Sequence, residues 1–210
     1  MPRRMADSAF REQQARDTYA EHVEPINRLV DTLRDADGRG WMPYVAPWHG
    51  GIEARVLSIL RDPGPKTRTD GGSGFLCVEN DDPTAERMAE MLTVAGIAAR
   101  DVTPWNAYPW YINRAPKVAE LIAGLAPLKR VIELMPDLEV VLLQGTDAQA
   151  GWRRFAKAFQ YLVVELNPTV IETYHPSRQA LWHPDAAVRD ARTIDRAEAY
   201  RRVAVRLATG

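Results

Sequence analysis

A three-layer α/β/α protein with a four-stranded parallel sheet is what this sequence predicts. Short aliphatic, β-branched runs alternate with segments of helical period, and each run opens into a polar loop. A helical crossover returns the chain to the same end of the sheet, so strands joined this way run parallel and are covered on both faces.

Each element has its own signal. Residues 8–36, "SAFREQQARDTYAEHVEPINRLVDTLRDA", space apolar positions at threes and fours and stop before a glycine-bearing turn, predicting a helix or a helix pair. "GWMPYVAPWHGG" follows as a loop. "ARVLSIL", residues 54–60, reads as the first buried strand and breaks into the polar loop "RDPGPKTRTDGGSG". "DDPTAERMAEMLTVAG" predicts a helix with Asp82 near the cap, Pro83 in the first turn and Gly96 closing it. "DVTPWN" is the second strand, 116–134 a helix, "LEVVLLQG" the third strand and "TDAQAGWRRFAKAFQ" the next crossover helix. "TVIETYH" is the fourth strand, and 186–207 closes the chain as a helix. Residues 1–50 are expected to form a helical extension and loop packed on a domain of residues 51–210, in one compact body.

Composition sets bounds on function. The chain has 210 residues, 46% hydrophobic and 26% charged, which suits a globular protein with one well-buried core. Its single cysteine, Cys77, excludes an internal disulfide framework and cannot supply an iron–sulfur cluster or a thiolate-rich zinc site, so no metal or cofactor is expected. No apolar run approaches the roughly 18 residues of a membrane span. The start "MPRRMADSAFREQQ" lacks a signal peptide's apolar core, so a cytoplasmic protein without a membrane partner is expected. A formal net charge of −1 lacks the basic excess of a generic nucleic-acid binder but leaves room for a local basic cleft. The arginine pairs 3/4, 153/154 and 201/202 read as solvated helix faces.

In a parallel sheet, ligands bind beyond the carboxyl ends of the strands. That rule selects the loops "RDPGPKT", "WNAYPWY", "QGTDAQ" and "HPSR". Asp62 also reads as ordinary Asp-Pro-Gly turn chemistry, Asn106 as a strand-end cap, His175 as a core histidine and Phe75 as a core aromatic; Cys77 reads as a buried, inert thiol. As a group they supply a carboxylate, a carboxamide, an imidazole and a stacking surface at successive strand ends.

In order and spacing, "LRDPGP", "GSGFLCV", "WNAYPWY", "LLQGTDAQ" and "TYHPSR" resemble the motifs of the uracil-DNA glycosylase superfamily over roughly residues 52–182. The resemblance implies a DNA glycosylase acting on uracil or a related deaminated or damaged base, with DNA as partner and a monomer as the working unit. It implies that Asp62 holds or deprotonates the attacking water and faces the sugar cation. His175 would donate to the base carbonyl on which charge develops, and Asn106 would read the uracil edge. Phe75 is expected to stack on the flipped base, with Pro63, Gly64 and Asn80 around it. Lys66, Ser73 and Ser177 are expected to meet phosphates, and Arg178 or Leu181 to fill the gap left by the extruded base.

The chain also departs from the family's pattern. Leu60 and Arg61 replace the small and polar residues that usually open the first loop, and Gly64 stands where family-one enzymes carry a tyrosine that excludes the methyl group of thymine. Asn80 and Asp82 read either as pocket residues or as a helix cap. Two rival readings remain at this level: a binding-only relative that keeps the pocket without chemistry, and an unrelated hydrolase using Ser177 and His175.

Overall fold

The computed structural model describes residues 2–209. Two N-terminal helices, α1 (Ser8–Arg16) and α2 (Glu24–Leu33), precede strand β1 (Tyr44–Val45). Then come β2 (Val56–Leu60), β3 (Phe75–Leu76), α3 (Pro83–Ala95), β4 (Val102–Asn106), α4 (Val118–Ala123) and α5 (Leu125–Glu133). The chain continues through β5 (Val140–Gln144), α6 (Thr146–Ala158), α7 (Gln160–Leu166), β6 (Thr169–Thr173), α8 (Arg178–Leu181) and α9 (Ala186–Thr209).

The main sheet is four-stranded and parallel throughout, in the order β4-β2-β5-β6. Alternate side chains of its central strands feed two separate cores, as the period of two requires. Leu57 and Ile59 of β2, with Val141 and Leu143 of β5, pack with Ile26 and Val30 of α2, Val131 of α5 and Phe155 of α6. Val56, Val140, Leu142 and Ile171 face the other way, against Met88 and Leu92 of α3 and Tyr200 and Val203 of α9. The result is the three-layer α/β/α arrangement. Pro104 sits in β4, an edge strand, where its missing N–H breaks no ladder.

The cap signals of α3 hold: Asp82 accepts from the amides of Thr84 and Ala85, and Gly96 takes φ +72°. Elsewhere the structure subdivides what the sequence joined. Residues 116–134 form two helices meeting at Gly124, where a Cβ would lie 2.0 Å from the carbonyl oxygen of Ala107. The helix pair at the N-terminus is two distinct elements, and α7 follows the crossover helix α6. The loops read as irregular contain one regular contact, the parallel pair Tyr44↔Phe75 and Val45↔Leu76. Two-residue strands are too short to show a period in the sequence.

Register sets up the functional edge. Leu60 pairs with Asn106 at the ends of β2 and β4, and Gln144 with Thr173 at the ends of β5 and β6. The ladder continues briefly past β2: Ala107 donates to the Leu60 carbonyl at 2.8 Å and Tyr108 to that of Arg61 at 3.0 Å. Gly145 donates to Thr173 at 2.9 Å. The first residues beyond β2, β4 and β5 are therefore held by backbone hydrogen bonds.

Candidate active site

A cavity of about 680 Å³ opens at this carboxyl edge, and Asp62, Asn106 and His175 all line it. Pro63, Gly64, Lys66, Asn80 and Ser177 line it as well.

Asp62 lies two residues past β2 with its side chain only 2% exposed. Arg61 Nε donates to its Oδ1 at 2.5 Å, while Oδ2 is buried without a partner. Burial pushes this carboxyl above the usual aspartate range; Arg61 and the backbone amides of Asn113 and Arg114 pull the other way. The pair makes a desolvated carboxylate whose second oxygen has no hydrogen-bond partner.

Asn106 closes β4, 2% exposed, and its Oδ1 is buried without a partner. An unsatisfied buried polar atom costs about 1–3 kcal/mol. Two such oxygens, Asp62 Oδ2 and Asn106 Oδ1, belong to residues lining one cavity at adjacent strand ends, which is the signature of a site shaped for a polar ligand.

His175 stands two residues past β6. Its Nδ1 accepts from the backbone N–H of Ser177 at 3.1 Å, which leaves the proton of the neutral ring on Nε2. Burial, helped by the positive charge of Arg61, lowers the imidazole to about 4, so at neutral pH it is an uncharged donor. With Nδ1 engaged by the Ser177 amide, the serine hydroxyl is not paired with this ring through that nitrogen, and the geometry gives no support to a Ser177 hydrolase. Gly145 packs beneath it with φ +97°, and a Cβ there would come within 3.0 Å of His175 Cβ.

Several expectations are corrected. Phe75 does not line the cavity: its ring is 5% exposed and packs with Met5, Phe10, Ala46 and Cys77, because the β1–β3 pairing turns it toward the N-terminal helix. Its neighbours Leu76, Cys77 and Val78 form the wall instead. The Ser73 hydroxyl lies 2.6 Å from Asn80 Oδ1, and Asn80 Nδ2 donates to the Phe75 carbonyl at 2.9 Å. Ser73 and Asn80 thus tie their own loop together; Ser73 lies outside the cavity lining, whereas Asn80 lines it and keeps one Nδ2 N–H without a hydrogen-bond partner among the described residues. Arg178 and Leu181 are outside the cavity lining, at the two ends of α8, whereas Gln179 between them reaches it. Asp82 lines the cavity but is occupied as the α3 cap.

Among the lining residues absent from the sequence-derived site, two bear most directly on its chemistry. Gln144 ends β5, donating to Ser58 Oγ at 2.7 Å and accepting from the Tyr200 hydroxyl at 2.8 Å, so it is a fixed floor. A lone amide closing the apolar run "VVLLQ" was its signal. The other is Arg61, visible in the sequence only as a departure from the expected loop. Cys77 is buried and pushed up to about 12 by desolvation, a thiol without nucleophilic character. Among the described residues, no group of three or more His, Cys, Asp or Glu side chains is placed to hold a metal ion.

The site's placement coincides with a family match. The family model of the Uracil DNA glycosylase superfamily matches residues 47–200, a span that takes in the whole main sheet and all its carboxyl-edge loops. A search of curated proteins returned no match.

Proposed function

This chain belongs to the uracil DNA glycosylase superfamily, whose members generally hydrolyse N-glycosyl bonds, and we propose that it releases uracil or a related deaminated or damaged base from DNA. The observation that carries this reading is the pair of unpartnered buried oxygens, Asp62 Oδ2 and Asn106 Oδ1, at one cavity with the neutral donor His175. Cleavage of the bond puts positive charge on the sugar and negative charge on the base. The Asp62 carboxylate opposes the first charge and takes a proton from the attacking water. His175, through Nε2–H, donates to a base carbonyl as charge collects there. Asn106 offers an acceptor and a donor on one group, matching an imide N–H and its neighbouring carbonyl.

The bond is inaccessible in a stacked duplex, so the nucleotide must leave the helix at a cost of a few kcal/mol. Lys66, exposed at the cavity rim, and Ser177 at the start of α8 are the groups we assign to the flanking phosphates. Gln179 replaces Arg178 and Leu181 as the side chain closest to the vacated stack in this reading, since it alone of the three lines the cavity.

Gel assays on single- and double-stranded oligonucleotides carrying uracil, hypoxanthine or a mismatched thymine test the proposal. Alkali-sensitive sites at a deaminated base support it. Tight binding with no base release from any of them would instead identify a binding-only relative.

A further inference from the structure

Building on the glycosylase reading, we propose that Arg61 is a further catalytic residue, its terminal amino groups donating to the base as it departs with negative charge. The side chain lines the same cavity as Asp62, Asn106 and His175. Only its Nε is engaged, at 2.5 Å from Asp62 Oδ1; among the described residues neither terminal nitrogen has a hydrogen-bond partner. A guanidinium carries five N–H donors, so four remain for a ligand.

Charge accounting favours the assignment. As the C1′–N bond breaks, its electron pair goes to the base; the oxygen of water then bonds to C1′, and the water proton passes to Asp62 and on to solvent or the base. The imidazole of His175 is held neutral, so it offers the leaving base a donor and no positive charge. Lys66, the cavity's other cation, reaches only the carbonyl of Gly71, at 3.5 Å. Arg61 alone is fixed beside the carboxylate: Tyr108 donates to its carbonyl at 3.0 Å, holding the step from β2 to Asp62 against the end of β4. A carboxylate on the sugar side and a guanidinium on the base side form an ion pair opposed to the dipole of the breaking bond. A preset dipole of that sense favours the transition state over the ground state.

The discriminating experiment compares leaving groups. Single-turnover release is measured for the parent, Arg61→Gln and Arg61→Lys on duplexes carrying uracil or 5-fluorouracil, whose anion is less basic and needs less help. The expected loss for Arg61→Gln is about 10²-fold on uracil, of the size seen when one donor to developing charge is removed, and distinctly smaller on 5-fluorouracil. Arg61→Lys should recover part of the rate. Equal losses on both bases, or full rate in Arg61→Gln, would overturn the leaving-group role while leaving the glycosylase reading standing. A parent that releases neither base would overturn the glycosylase reading, and the role of Arg61 with it. Carboxyl NMR adds an arm independent of turnover: Asp62 should titrate at higher pH in Arg61→Gln, and an unchanged titration contradicts the ion pair on which the proposal stands.

Discussion

An imidazole whose Nδ1 already accepts an amide proton has one donor left, and protonating it would set two N–H groups against each other. That is the state of His175, and it fixes the expected pH dependence of base release. Asp62 must be ionised to act, and its pKa is raised, so the rate should fall as pH drops through that raised value. His175 is already neutral above about 4 and adds no limb near 6.5. Single-turnover profiles of the parent and His175→Ala should therefore share the acidic limb at different heights; a limb that vanishes with the histidine would show that the imidazole, not Asp62, is titrating. Asn106→Ala should reduce discrimination between uracil and other bases by about 1–3 kcal/mol, as the removed edge reader implies, measured as the ratio of release rates. At this scale the sequence showed Asp62, Asn106 and His175 through their places after strands. It concealed the direction of Phe75, because Phe75 and Leu76 are adjacent and only the β1–β3 register decides which of them faces the cavity.

Loops past the strands depend on glycine at one point and tolerate change at another. Gly145 has φ +97° and sits against His175, so Gly145→Ala should lose about 1 kcal/mol of stability from the left-handed backbone alone. It should also slow base release by displacing the ring; thermal melts and rate measurements check the two effects separately. Gly64 is the opposite case: a Cβ there meets nothing within 4 Å. Gly64→Tyr should melt like the parent and sharpen rejection of mismatched thymine relative to uracil. An unchanged ratio of the two rates would mean that this position does not face the C5 side of the base. The main strands and α3 were legible because their apolar runs and caps are local signals. The break at Gly124 was not, since the reason for it is the Ala107 carbonyl of another loop, and neither was the β1–β3 pair, which depends on contacts across thirty residues of chain.

The whole molecule carries two histidines held neutral by the fold, and this couples its stability to pH. His49 is fully buried, with Nδ1 facing the carbonyls of Val102 and Ala99 at 3.0 and 3.3 Å and Nε2 accepting from Val78 at 3.2 Å; burial lowers it to about 4. For both His49 and His175 the folded pKa lies below the ordinary 6.5, so the unfolded chain binds more protons between those values. The contribution of these two groups to stability should then be complete above about 6.5 and decline as pH falls toward 4, with a shallower decline in His49→Gln at its lower starting stability, read from melting temperatures. Affinity for a uracil-containing duplex should weaken steeply with rising salt despite the net charge of −1, because phosphate contacts release counterions. Flat affinity between low and moderate salt would remove the assignment of Lys66 and Ser177 to phosphates. The central claim, that the Asp62 carboxylate drives base release at this edge of the sheet, is tested most directly by Asp62→Asn, which keeps the size of the side chain and removes its charge. Single-turnover uracil release should fall by about 10²–10⁴-fold while affinity for the same duplex stays nearly that of the parent. A variant that releases uracil at the parental rate would contradict the account.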